Sequence, residues 1–80
     1  MKRKHGVLTQ RIEDGFIVYD PGQDEAFVLN ETAALVWENA DLPESEIAKL
    51  LSNQYGITEH EALEDTRAFI KELTEKGLLV

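Results

Sequence analysis

The sequence predicts one α+β domain, in which a three-stranded antiparallel sheet is followed by three helices. Two observations indicate this class. Short aromatic and β-branched runs separated by turn dipeptides fill the first third of the 80 residues, and apolar residues with helical spacing fill the rest. No repeat, linker or low-complexity stretch interrupts the β-β-β-α-α-α order, so a single domain is predicted over residues 1–80.

Three strands are predicted in the first part of the chain. "VLTQRIE", Val7–Glu13, alternates loosely, and Asp14-Gly15 predicts a tight turn after it. "FIVYD", Phe16–Asp20, is the second strand, and Pro21-Gly22 begins the next turn. "EAFVL", Glu25–Leu29, is the third. Because the connections are short and turn-like, the strands are expected to form an antiparallel meander.

The first helix is predicted to begin directly after the third strand, without a loop. Asn30 stands at this junction and is a good helix N-cap and a poor strand residue. The apolar residues that follow recur at helical spacing to about Ala40. The third strand should therefore be short and end abruptly.

Two further helices complete the predicted order. "ESEIAKLLSNQY" has one apolar face and is followed by Gly56, which is a typical C-cap. The members of that face are Ile47, Leu50, Leu51 and Tyr55. The third helix opens at Thr58, where Glu61 three residues later makes a capping box, and it ends at Gly77.

The third helix has two rows of residues with different character. Its buried face is predicted to consist of Ala62, Thr66, Phe69 and Leu73. A second row lies about a quarter-turn away, at roughly 100° per residue, and consists of Leu63, Arg67, Ile70 and Thr74. This row has two interpretations, the edge of a wide core stripe or the wall of a groove beside an open strand.

Charge and composition exclude several classes of function. The net charge of −8 disfavours binding of DNA or RNA, whose affinity comes largely from neutralising phosphates. The chain has no cysteine, and no apolar run approaches the length of a membrane span or a signal peptide. A cytoplasmic protein is therefore expected. The basic tip Lys2–Lys4 belongs to a segment, residues 1–6, that is expected to be mobile.

No constellation typical of an enzyme or a metal site is present. His5 lies in the N-terminal tip and His60 in the first turn of a helix, and neither has a partner that would suggest catalysis. "DPGQDE" lacks the ligand spacing of a calcium loop, so a hairpin turn is the better interpretation. We expect no catalytic residue, no metal and no cofactor, and a protein that acts by binding.

The ordered set of motifs resembles the PqqD-like family, whose domains are also called RiPP recognition elements. The residues that carry this resemblance are "FVLNETAALVW", "EIAKLL", "YGIT" and "AFIKELTEKGLL", which cover nearly the whole chain from about Val7. Many relatives have Asp-Gly after the first helix, whereas this chain has "ADLPESE", so that turn should differ. The resemblance implies a winged helix-turn-helix-like fold that binds the leader segment of a ribosomally made precursor peptide.

The resemblance also implies where the leader binds. It would add as a strand to the open edge of the third strand, Glu25, Ala26, Phe27, Val28 and Leu29, with the backbone of Ala26 and Val28 or of the neighbouring set pairing with it. The second row of helix three would form the other wall. Leu63 and Ile70 would take apolar leader side chains, Arg67 and Lys71 would meet leader carboxylates, and Thr74 completes the row. Alternatively, Arg67 pairs with Glu64 and Lys71 with Glu75 inside the helix.

The identity of the partners stays open at this point. The expected partners are a precursor leader and a maturation enzyme, either a leader peptidase or a radical SAM enzyme, with the lasso-peptide type slightly favoured by the short chain. An unfilled edge strand can also pair with its own copy in a homodimer. The alternatives are a winged-helix DNA-binding regulator, which the acidic start of "EHEALEDTRAFIKELTEK" disfavours, and an assembly contact on a larger enzyme.

Overall fold

The computed structural model describes residues 1–80 and confirms the predicted order of elements. The elements are β1 (Leu8–Ile12), β2 (Gly15–Asp20), β3 (Glu25–Asn30), α1 (Glu31–Glu38), α2 (Glu44–Tyr55) and α3 (Glu59–Glu75). The sheet has the order β1-β2-β3, and both strand pairs are antiparallel. Both β1 and β3 are therefore edge strands.

The first turn differs from the prediction by one residue. Glu13 and Asp14 form the turn, and Gly15 is already the first residue of β2. Gly15 has a φ of +147°, and a Cβ atom added there would lie 1.8 Å from the carbonyl oxygen of Leu29. A glycine is needed here because the backbone of β3 approaches closely, and not because of the turn.

Helix ends follow the local signals in the sequence. The Asn30 side chain accepts a hydrogen bond from the Ala33 amide at 2.9 Å, and the Thr58 hydroxyl accepts one from the Glu61 amide at 3.1 Å. Gly56 caps α2 in the left-handed conformation, with a φ of +66°. Helix α1 ends at Glu38, two residues earlier than predicted.

One hydrophobic core lies between the inner face of the sheet and the helices. Helix α1 packs against β2, β3 and both other helices, and α2 packs along α3. The buried apolar side chains are Val18, Leu29, Ala33, Ala34, Val36, Trp37, Ala40, Ile47, Ala48, Leu51, Ala62, Leu73, Leu78 and Leu79. Leu50 was predicted to face the core, but it is 39% exposed.

The two chain termini lie side by side. The backbone of Lys2 and Lys4 makes three hydrogen bonds of 2.8–3.0 Å with Leu78 and Val80, and the Arg3 guanidinium lies 5.5 Å from the centre of the Trp37 ring. The mobility of residues 1–6 stays a prediction, and these contacts argue against it.

Candidate functional site

The backbone of β3 has one free side, and the sheet register shows which residues use it. Ile12 and Gly15 close a two-residue turn, so they form a hydrogen-bonded pair, and such pairs alternate along an antiparallel ladder. Every second residue of β2 therefore faces β1, and Phe16, Val18 and Asp20 bond to β3. In β3 the free N–H and C=O groups are consequently those of Ala26 and Val28.

The side chains of β3 divide between the two faces of the sheet. Phe27 is half-buried and Leu29 is buried, both on the face that meets the helices. Ala26 and Val28 are exposed on the opposite face, and Glu25 is exposed at the start of the strand. The core thus holds β3 in place while its free backbone groups stay accessible.

The predicted α3 row is partly core and partly surface. Leu63 and Ile70 are half-buried and pack against the core, whereas Arg67 and Thr74 are exposed. The Thr74 hydroxyl donates to the Ile70 carbonyl at 2.7 Å within the helix. The two aliphatic members therefore combine core contact with accessible apolar surface.

The two cations of α3 have a different pairing from the one that the sequence suggested. Arg67 Nε donates to Glu44 Oε2 at 3.0 Å, at the start of α2, and not to Glu64. Lys71 is exposed and makes no ion pair with Glu75 or any other residue. Lys71 is thus a free positive charge, and Arg67 is held toward α2 by a solvent-exposed pair.

The backbones of the two proposed walls, β3 and α3, lie apart. No Cα atom of β3 lies within 8 Å of a Cα atom of α3, and α1 packs against both elements. Because neighbouring strands are about 4.8 Å apart, α3 does not take the place of a fourth strand beside β3. No strand or helix backbone therefore pairs with the edge of β3.

A buried carboxylate stands at the turn that leads into β3. Asp20 is 1% exposed and accepts hydrogen bonds from Gln23 Nε2 at 2.6 Å, from Lys4 Nζ at 2.7 Å and from the Gly22 amide at 3.0 Å. These donors, Gln23 first and then Lys4, hold the pKa of Asp20 below its usual value. Sequence reasoning missed these contacts, because "DPGQDE" indicates only a turn, and the burial of Asp20 and its bond to Lys4, 16 positions earlier, depend on the folded chain.

The outer face of the sheet has no helix over it and is largely apolar. Alternation along the three strands places the apolar residues Leu8, Ile12, Ile17, Tyr19, Ala26 and Val28 on this face, together with Gln10. Leu8 is 64% exposed and Val28 is 69% exposed. The Tyr19 hydroxyl donates to Asp24 Oδ1 at 2.8 Å, and this bond raises the pKa of Tyr19. An exposed apolar surface of this kind is typical of an interaction site.

Two surface hollows lie elsewhere. One of about 620 Å³ lies between the N-terminal tip and Trp37, and one of about 370 Å³ lies near Arg11 and Tyr55; neither is lined by a residue of β3 or α3. No group of three or more His, Cys, Asp or Glu side chains is arranged to hold a metal ion. None of the helices has the length and hydrophobicity needed to cross a bilayer.

Comparisons with known proteins agree with this architecture. The model of a family described as "Coenzyme PQQ synthesis protein D (PqqD)" matches residues 15–79, and no curated protein sequence matches the chain. The fold is similar to that of "TbiB1 in Complex with the TbiA(beta) Leader Peptide", with a TM-score of 0.86 and 22% identity over 99% of this chain and 94% of that one. It is also similar to "Lasso peptide synthetase B1 complexed with the leader peptide", with a TM-score of 0.85 and 22% identity over 99% of this chain and 95% of that one. With the three-stranded sheet, the helical order and the family match in agreement, the chain belongs to the PqqD family.

Proposed function

We propose that this protein is a non-catalytic adaptor that binds the leader segment of a ribosomally synthesised precursor peptide. The observation that carries the proposal is the unpaired edge of β3, where the N–H and C=O groups of Ala26 and Val28 have no partner strand and can pair with a visiting one. The similarity to two structures whose names include a leader peptide supports it.

The side chains around this edge supply specificity. Phe27 offers an apolar surface on the inner face of β3, and Leu63 and Ile70 offer one on α3. Burying an apolar leader side chain fully against such surfaces is worth roughly 1.5–3 kcal/mol. Lys71, which has no partner, and Arg67, whose partner is solvent-exposed, attract leader carboxylates and so fix the register more than the affinity.

Delivery to a maturation enzyme needs a second surface that stays free when the leader is bound. The outer face of the sheet meets this requirement, because Leu8 and Ile17 lie on strands away from the β3 edge. We assign this face to a leader peptidase or a radical SAM enzyme in the cytoplasm. The lasso-peptide type is favoured because one of the similar structures is named as a lasso peptide synthetase component.

The row on α3 is tested by charge substitutions with a matched control. Leu63→Asp and Ile70→Asp each place a carboxylate in the apolar wall and should abolish leader binding in isothermal titration calorimetry. Leu50→Asp is the control, since Leu50 is a partly exposed leucine on α2 outside the row. Circular dichroism checks that each variant is folded. If Leu63→Asp and Ile70→Asp bind the leader as tightly as the control does, the role of the α3 row in binding is contradicted. The proposed pairing of the leader with β3 is not affected by that result.

The alternative function, binding of DNA, is tested by the same calorimetric titration. Generic duplex DNA should show no salt-sensitive binding, because the chain has a net charge of −8. Salt-sensitive DNA binding together with failure to bind any leader peptide would contradict the adaptor.

A further inference from the structure

The walls of the proposed binding site come from distant parts of the chain, and α1 packs against both of them, with further contacts at the two ends of β3. At the Asn30 end, the Asn30 carboxamide oxygen accepts from the Ala33 amide and from Thr32 Oγ1, both at 2.9 Å. These bonds join β3 to α1, which packs directly on α3. This end of the site is therefore fixed through α1.

At the Glu25 end, the Gln23 side chain connects the turn directly to the end of α3, beside a second connection that runs from Asp20 through Lys4 to Leu78. Gln23, in the turn before β3, has its Nε2 atom 2.6 Å from Asp20 Oδ2 and 3.1 Å from the carbonyl oxygen of Lys76, just after α3. Both partners can only accept hydrogen bonds, so the amide nitrogen and not the amide oxygen must face them. Gln23 thus links the β2–β3 turn to the C-terminal end of α3.

The surroundings of Gln23 hold it in this position. Asp20 is buried and also accepts from Lys4 Nζ, and the Lys4 amide donates to the Leu78 carbonyl at 3.0 Å. Gly77 follows Lys76 and leaves room for the Gln23 side chain, since an added Cβ would lie 3.0 Å from Gln23 Nε2. The turn, the N-terminal tip and the C-terminal tail therefore meet at one carboxylate.

We propose that Gln23 is a positioning residue that sets the distance between β3 and α3 at the Glu25 end of the site. Its bridge from Asp20 to the Lys76 carbonyl holds the first half of β3 at a fixed distance from the helix, so that a leader strand enters a gap of constant width. This inference rests on the proposed function for its effect on leader binding, but the spacing itself is a property of the free protein.

The test uses a matched pair of variants at this position. Gln23→Glu keeps the size of the side chain but puts an acceptor where both partners are acceptors, so it removes the bridge. Gln23→Lys keeps a donor that can reach the same two oxygens. Ser52→Ala is the control for a general loss of stability, because it removes a 2.6 Å hydrogen bond to Ile57 between α2 and α3.

Two measurements are made on each variant. Spin labels at Glu25→Cys and Lys71→Cys, both exposed positions in a chain without native cysteine, report the β3–α3 distance by electron–electron double resonance. Titration of the same variants without the two label cysteines, with synthetic leader peptides encoded beside the gene, reports affinity. Gln23→Glu should broaden the distance distribution and weaken leader binding by roughly 3- to 10-fold, because the bridge acts on the leader only through the position of β3. Gln23→Lys and Ser52→Ala should change neither.

The outcomes separate this inference from the proposed function. An unchanged distance distribution in Gln23→Glu, or equal broadening in Ser52→Ala, would overturn the positioning role whether or not a leader binds. A broadened distribution with unchanged leader affinity would overturn the link between this spacing and binding. If the wild type binds no leader while the Gln23→Glu distribution broadens, the proposed function fails and the positioning of β3 against α3 stands.

Discussion

At the scale of single residues, Gly15 is the glycine that tolerates substitution least. Its φ of +147° and the closeness of the Leu29 carbonyl leave no space for a Cβ atom. We expect Gly15→Ala to lower the free energy of unfolding by about 3 kcal/mol or more, since the backbone of β2 or β3 must move.

Gly56 provides the control for this prediction. It also has a positive φ, but an added Cβ would meet nothing within 4 Å. Gly56→Ala should cost only about 1–2 kcal/mol, the strain of a left-handed residue. Urea unfolding measures the free energy of unfolding of both variants. An equal loss in the two variants would show that the close approach of Gly15 to Leu29 does not contribute to the cost of the substitution.

The Arg67–Glu44 pair gives a second prediction at this scale. The side chains are 63% and 44% exposed, so Glu44→Gln should lower stability by at most about 1 kcal/mol. Because the substitution frees the Arg67 guanidinium, affinity for a leader with a carboxylate near α3 should rise. Calorimetric titration of both proteins measures this, and a fall in affinity would contradict the role of Arg67 in binding.

The residues that the sequence did not predict correctly have their contacts far away in the chain. Arg67 was expected to pair within its helix, but Glu44, 23 positions earlier, is closer in the folded protein. Leu50 has the spacing of a core residue and is exposed, because α2 packs mainly through Ile47, Ala48 and Leu51. Local spacing does not contain this information.

At the scale of elements, the junction between β3 and α1 is set by one side chain. Asn30 ends the strand and caps the helix through its Oδ1 atom, which accepts from the Ala33 amide. Asn30→Ala should lower the free energy of unfolding by about 1 kcal/mol, whereas Asn30→Asp keeps the acceptor and should be close to wild type. Thermal unfolding distinguishes them, and equal melting temperatures for the two variants would contradict the capping role.

The elements were predictable because their signals are local. The caps at Asn30, Thr58 and Gly56, and the turn that begins at Pro21-Gly22, act over three or four positions, and the structure confirms them. The prediction at Gly15 was off by one residue, since the reason for the glycine is the backbone of β3 and not the turn itself. The free edge of β3 was predictable from the meander, while its contacts with the helices were not.

At the scale of the whole molecule, Asp20 links both termini to the sheet and should make stability depend on pH. Its pKa is held below the usual 3.8 by Gln23 and Lys4. A carboxylate with a lowered pKa in the folded state contributes stability above the unfolded pKa, and this contribution is lost as the pH falls through the folded value.

The corresponding experiment compares wild type with Asp20→Asn across pH. The difference in their free energy of unfolding should be constant at neutral pH and should shrink as the pH falls below 3.8. Guanidinium unfolding at a series of pH values measures it. A difference that stays constant down to the acid limit would contradict an ionised, hydrogen-bonded Asp20.

The central claim is that the edge of β3 receives a leader peptide. The most direct measurement is an NMR titration of the labelled protein with the leader peptides encoded beside its gene. The account predicts binding at sub-micromolar to micromolar affinity, with shifts confined to Glu25–Asn30 and to the α3 row of Leu63, Arg67, Ile70 and Thr74. No shift with any of these peptides, while the spectrum shows an intact fold, would contradict the account.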